Sequence, residues 1–202
     1  MIVGIVGGIG AGKSTVRRLC EELGAEAVDA DALAHAALET PVVRKALESW
    51  LGARAVGPDG KVDRKAVASL VFSDTARLKE LEALVHPLVL KSIEEVLAKH
   101  TETETTEARA LGRQMLVLDV PLLLESPLRE RCDAILYVDA PLEVRRRRAQ
   151  ERGWNAQEIE RRERLQTPDG EKRRLATVVL DNSNSLDETR RQVGELYKSW
   201  MK

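Results

Sequence analysis

The sequence predicts a three-layer α/β fold around a central parallel sheet, and three observations predict it. Short apolar runs alternate with longer amphipathic stretches, the order in which parallel strands and their crossover helices are laid down. The runs Leu116-Val117-Leu118 and Ile135-Leu136-Tyr137-Val138 are apolar without alternation, as strands covered on both faces are. The chain has 202 residues, 43% hydrophobic and 32% charged, which suits one core with an insertion or a small lid. With 3% aromatic residues, Val, Leu, Ile and Ala must fill that core.

Taken in order, Met1–Val6 reads as a buried strand and Thr15–Leu23 as an amphipathic helix with Val16, Leu19, Cys20 and Leu23 on one face. Ala25–Asp29 is a weaker second strand. Residues 32–52 read as helical in two pieces, with Pro41 near the start of the second, where proline is tolerated. Gly57-Pro58-Asp59-Gly60 is a turn signal. From Val62 to His100 the pattern is helical again, punctuated by Ser73-Asp74, an N-cap signal, and by Pro87. Thr101–Glu107 is an acidic Thr/Glu stretch with no apolar face and is expected to be a solvated loop. Met115–Val120, Ala134–Asp139 and Thr177–Asp181 are the remaining strands. Leu142–Arg174 is charged and helical, with breaks at Gly153 and Pro168-Asp169-Gly170, and Ser185 caps a final helix through Trp200.

Gly7-Gly8-Ile9-Gly10-Ala11-Gly12-Lys13-Ser14 lies between the first strand and the first helix and fits G-x-x-x-x-G-K-[ST]. This is the phosphate-cradling loop of nucleotide triphosphatases and kinases. Its glycines turn successive N–H groups inward around phosphate oxygens, and the following helix adds unpaired amides and its dipole. Gly8, Ile9, Gly10, Ala11, Gly12, Lys13, Ser14 and Thr15 are therefore the expected nucleotide-binding set, on a P-loop NTPase fold. Lys13 would reach the β- and γ-phosphates of ATP, and Ser14 would ligate Mg²⁺.

Ligands of such sheets bind outside the carboxyl ends of the strands, where Asp29, Asp31 and Asp119 fall. Asp119 suits a Mg²⁺ partner acting through water, and also a plain strand-end turn or cap. Asp31 suits a base that takes the proton of an acceptor hydroxyl, and also an N-cap for a helix beginning at Ala32. The run Arg145-Arg146-Arg147-Arg148 opens a stretch of arginines interspersed with glutamates. Most of it reads as a solvated helical face with i,i+4 pairs. A helical lid could still carry a few of these guanidinium groups to a migrating phosphoryl group, and residues 142–170 are polar enough to move.

Several classes are excluded or disfavoured. Net charge is −1, which argues against a general nucleic-acid binder. No apolar run is long enough to span a bilayer, and the chain enters the phosphate loop directly, so neither a membrane partner nor a cleaved signal is expected. Cys20 and Cys132 are isolated in apolar contexts and are expected as buried thiols rather than a disulfide, which suits the cytoplasm. The N-K-x-D and D-x-x-G patterns of regulatory GTPases do not occur, nor does a His/Cys spacing suited to zinc. A kinase for some small acceptor, including a nucleoside monophosphate, and a nucleotide-binding module without catalysis are the readings left open by the residues themselves.

Five blocks in order narrow this further: the glycine loop, Asp29-Ala30-Asp31, Leu84-Val85-His86-Pro87-Leu88, Val120-Pro121-Leu122-Leu123-Leu124-Glu125 and Leu180-Asp181-Asn182. With them the chain closely resembles the dephospho-CoA kinases over nearly its whole length. The resemblance implies ATP-dependent phosphorylation of the ribose 3′-hydroxyl of dephospho-CoA, the last step of coenzyme A synthesis. It implies a nucleoside-monophosphate-kinase-like core (1–34, 114–140 and 175–202), a helical substrate-binding insertion (35–113) and a helical lid (141–174). By the same resemblance Asp31 is the base, beside Lys13 and Arg148 as catalytic groups, and Arg152 is a lid arginine on the nucleotide. Asp29, His86, Pro121, Leu122, Arg162 and Gln166 join Asp31 on the acceptor. The expected cofactors are ATP and Mg²⁺, and the expected partner is a small molecule bound by a monomer or weak oligomer. Two positions depart from the family: Ala11 stands where serine is common, and Ala176-Thr177 replaces Ala-Asp.

Overall fold

A computed structural model of the chain describes residues 1–106 and 114–202. Five strands form one parallel sheet: β1 (Ile2–Gly7), β2 (Glu26–Asp29), β3 (Leu116–Asp119), β4 (Ala134–Asp139) and β5 (Val178–Asp181). Their order is β2-β3-β1-β4-β5, so the most continuously apolar runs take the three central places. The edge strands β2 and β5 have exposed positions. Because all pairings are parallel, every strand ends on the same edge. The register sets Asp29 beside Asp119 and Asp139 beside Asp181 there.

One face of the sheet packs on α1 (Lys13–Glu22) and α9 (Leu186–Trp200), where Val3, Ile5, Val117, Leu136 and Val138 meet Val16, Leu19 and Val193. Cys20 is buried in this layer, and burial, then Glu21, pushes its thiol up to about 12. Cys132 is half-buried, and burial, then Asp133, pushes it up to about 11. The two cysteines are free thiols, as expected, although Cys132 is less buried than its apolar neighbours suggest. Leu23 does not join the apolar face assigned to it: it lies one residue beyond α1 and is 44% exposed, because the chain turns away at Gly24. After β4 come α6 (Leu142–Glu151), α7 (Ala156–Glu163) and α8 (Asp169–Leu175), broken where glycine and proline predict.

The chain divides into two compact units, Met1–Asp29 with His100–Lys202, and Ala30–Lys99. The second is helical, with α2 (Ala30–Leu38), α3 (Pro41–Leu51), α4 (Arg64–Ser73) and most of α5 (Thr75–Thr106). Its core is built on Val43, Leu47, Leu51, Val62, Val67 and Val85. Asp74 caps α5 by accepting from the N–H groups of Ala76 and Arg77 at 2.9 and 3.1 Å, as the Ser73-Asp74 signal predicts. Pro87 sits inside α5 without ending it. The apolar residues around it, Val85, Leu88 and Val89, are held in the core and carry the helix across the lost hydrogen bond.

The acidic Thr/Glu stretch corrects the sequence reading. Residues 101–106 continue α5 instead of forming a loop, and Glu107 lies outside the described residues. Extending an existing helix adds a hydrogen bond per residue without a new nucleation cost, and glutamate is a good helix former. Absence of an apolar face therefore did not prevent it. The expected insertion boundary at 113 also falls outside the described residues.

Candidate active site

β1 ends at Gly7 and α1 begins at Lys13, and the loop between them is shaped by its glycines. Gly10 and Gly12 have φ of +75° and +94°, a left-handed backbone that a side chain would strain. Gly12 is the N-cap of α1 and contributes no side-chain acceptor, so no side chain at the cap takes up the first-turn amides. This is the backbone arrangement that receives an anion. Lys13 Nζ folds back over the loop and donates to the carbonyls of Gly7 at 3.1 Å and Gly8 at 3.5 Å.

The far side of the loop is held by a buried polar pair. Asn182, just after β5, donates from Nδ2 to the Ala11 carbonyl at 2.7 Å and accepts from Thr189 Oγ1 at 2.8 Å. The partner of Asn182 here is the Ala11 backbone, with no side-chain hydroxyl involved. Arg148 Nη1 approaches the same carbonyl at 3.5 Å. Burial, then Arg147 and Arg152, presses the Arg148 guanidinium below its ordinary pKa.

At the strand ends, one cation joins two of the predicted acids. Arg17, one turn beyond Lys13 on α1, pairs with Asp29 at 2.8 Å and Asp119 at 3.4 Å. Arg17 belongs to no motif, and the one sequence signal it carries is its i+4 spacing from the loop lysine. Asp29 and Asp119 are register partners on neighbouring strands whose backbones lie about 5 Å apart, so their like charges repel, and the guanidinium paired with both relieves this. Asp31 is exposed in the first turn of α2, which starts at Ala30, so it is not the cap of a helix from Ala32. His86 is exposed on α5, in the helical unit.

The Pro121–Glu125 segment is tightly fixed although its surface is open. Leu122 is exposed with φ +55°, a left-handed conformation that costs a leucine about 1–3 kcal/mol. Leu123 is buried beside Gly4, where an added Cβ would meet its Cδ2 at 2.4 Å. Glu125 accepts from the N–H and Oγ1 of Thr167 at 2.5 and 2.7 Å. Burial raises the Glu125 pKa, but these hydrogen bonds and Lys172 outweigh it, and the carboxyl lies below its ordinary value. The sequence assigns no role to Asn182 or Glu125, although both lie in blocks that carry the resemblance.

The helices after β4 sort the arginine run. Arg146 and Arg147 are exposed, as a solvated face requires, while Arg145 and Arg148 turn inward. Arg152 is exposed at the C-cap of α6. Arg162 stacks over Trp154, 4.5 Å from the ring centroid. Gln166 accepts from the buried Lys172 Nζ at 2.8 Å. Thr177, at the departure from Ala-Asp, exchanges hydrogen bonds with Ile135: its Oγ1 accepts at 3.0 Å and its N–H donates at 2.8 Å.

A glycine-rich loop between the central strand of a parallel sheet and a helix, with acids at the strand ends and arginines on following helices, defines a P-loop protein of the small-molecule kinase type. The family model for dephospho-CoA kinase matches residues 1–188. A dephospho-CoA kinase of Deinococcus radiodurans is 43% identical over 186 residues, covering 92% of this chain and 85% of that one. One from Aquifex aeolicus is 35% identical over 198 residues, covering 97% and 95%. A solved structure from Thermus thermophilus is 40% identical with a TM-score of 0.73, covering 100% of this chain and 98% of that one. The chain belongs to the dephospho-CoA kinase family.

Proposed function

We propose that the protein transfers the γ-phosphoryl group of ATP to the ribose 3′-hydroxyl of dephospho-CoA, giving coenzyme A and ADP. The observation that carries this reading is the family match over residues 1–188 together with a phosphate loop of the required backbone geometry. Lys13 exchanges the Gly7 and Gly8 carbonyls for the β- and γ-phosphate oxygens. Arg148, beside the Ala11 carbonyl, stabilises charge as it develops on the phosphoryl group, and Arg152 holds the nucleotide. Asp31 takes the proton of the attacking hydroxyl, which leaves the 3′-oxygen bonded to phosphorus and ADP as the leaving group.

The residues fit Mg²⁺. Ser14, in the first turn of α1, offers a hydroxyl and Asp119 a carboxylate, the hard oxygen chemistry this ion takes alongside substrate phosphates and water. Asp119 also pairs with Arg17, and Ser14 and Asp119 would together hold the ion. When bound, the ion neutralises the phosphate oxygens that Lys13 alone would have to balance. Asp29, His86, Pro121, Leu122, Arg162 and Gln166 form the acceptor side.

Residues 1–34, 114–140 and 175–202 make the nucleotide core, 35–113 the acceptor-binding insertion and 141–174 the lid. No helix among the described residues is long and apolar enough to cross a membrane. Two free thiols suit a reducing compartment, and the enzyme is cytoplasmic in this reading, a monomer or weak oligomer acting on a small molecule rather than on nucleic acid. A coupled assay with dephospho-CoA, AMP and adenosine as acceptors tests the reading. Strong turnover with the first alone is expected; preferential turnover with AMP would instead identify a nucleoside monophosphate kinase.

A further inference from the structure

Arg145 has no part in the roles above, and the sequence treats it as one of four adjacent arginines on a solvated face. Its surroundings are different. The side chain is 12% exposed, and its guanidinium pairs with Asp169 at the start of α8 at 2.7 Å and with Glu163 at the end of α7 at 3.4 Å. Asp169 is shared with Lys172, at 3.4 Å. Arg145 also lies directly on the phosphate loop. A Cβ built on Gly8 would fall 1.8 Å from Arg145 Nη1, and one on Gly10 would fall 2.2 Å from the Arg145 carbonyl oxygen.

An apolar contact runs alongside. Ile9, at the tip of the loop, is buried in a cluster with Ala149 of α6, Ile159 of α7 and Trp154 between them. Trp154 carries Arg162 on its ring. Arg148 follows Arg145 by three residues on α6, so whatever fixes Arg145 also fixes the approach of Arg148 to the loop.

We infer that Arg145 is a positioning residue that locks the helices α6, α7 and α8 to the phosphate loop, with Ile9 as its apolar counterpart. A planar guanidinium can bind two carboxylates at once and still lie flat against a glycine backbone; an ammonium cannot do both. Gly8 and Gly10 are then needed for more than phosphate: they admit the close approach of Arg145. Nucleotide bound in the loop and the arginines presented by the lid are thereby placed in one rigid frame. The inference rests on the loop being the nucleotide site and not on the identity of the acceptor.

The test uses Trp50→Phe/Trp200→Phe, which leaves Trp154 as the single tryptophan of the three in the chain. ATP added to this form is expected to change Trp154 emission, and Arg145→Met is expected to abolish that change. In steady-state assays Arg145→Met should raise the ATP KM and lower kcat by about tenfold each, with the acceptor KM within about twofold, and Arg145→Lys should recover only part of the loss. Should Arg145→Met fail to fold, Glu163→Gln/Asp169→Asn keeps the arginine, removes its anchors and should show the same pattern. A Trp154 response that is absent from the start or survives both variants overturns the inference, as does an equal rise in both KM values. Failure of dephospho-CoA as acceptor would refute the proposed function and leave the ATP titration to decide the role of Arg145.

Discussion

The phosphate loop and the helices α6–α8 are built in opposite ways. The loop is shaped by its own backbone: left-handed glycines at 10 and 12 and a helix that starts at Lys13. Those helices are held by side-chain contacts: Arg145 to Glu163 and Asp169, Thr167 to Glu125, Lys172 to Gln166. A loop made of backbone depends on its glycine geometry. Helices held by ion pairs and hydrogen bonds depend on the identity of each partner.

Within this comparison the largest effect should come from Lys13, which reaches over the loop with its side chain. Lys13→Ala is expected to lower kcat/KM by about 10²–10³-fold and to weaken ATP binding as well, because the ammonium touches phosphate in both ground and transition states. Calorimetric titration with ATP checks the second part, and an unchanged affinity would remove Lys13 from the phosphates.

Gly12→Ala comes next and isolates the backbone contribution. The new methyl group would meet Asn182 Nδ2 at 2.1 Å with φ at +94°, so the chain must shift both its strained backbone and the buried Asn182–Thr189 pair. A loss of about 1–3 kcal/mol in urea unfolding is expected, together with loss of nucleotide binding. Wild-type stability in this variant would mean that the loop is not held by its glycines.

The smallest effect lies on the side of these helices and depends on pH. The folded-state pKa of Glu125 is depressed, so the ionised carboxylate contributes stability above its unfolded value, near the ordinary glutamate range. That contribution disappears as pH falls through the lower folded value. Glu125→Gln should therefore melt below the wild type at neutral pH, and the two melting curves should converge in acid. A difference that stays constant with pH would mean that the Thr167 contacts do not depend on the charge of Glu125.

The same contrast explains what could be read from the sequence. The loop, the five strands and the caps Asp74 and Ser185 are local patterns, and each stands where the residues predict. The anchors of the site are not local. Asn182 meets Ala11 across 171 positions, Arg148 meets it across 137, and Thr167 meets Glu125 across 42. A run of four arginines carries no sign of which two turn inward, because that depends on where Gly8, Ala11, Asp169 and Glu163 come together in the fold. Arg17 carries no local sign of its role for the same reason, since its partners Asp29 and Asp119 become neighbours only through the β2–β3 register. The continuation of α5 to Thr106 and the exposure of Leu23 show the reverse error, where a local pattern was followed past the point at which neighbouring structure decides.

The central claim is transfer of phosphoryl from ATP to one particular oxygen. The most direct measurement is ³¹P NMR of the product formed from ATP and dephospho-CoA by the purified protein, run beside Asp31→Asn. A new 3′-phosphomonoester signal growing with ADP, and slowed by about 10²–10⁴-fold in the variant, is the predicted result. Inorganic phosphate and ADP without a new monoester, or a monoester on another oxygen, would contradict it.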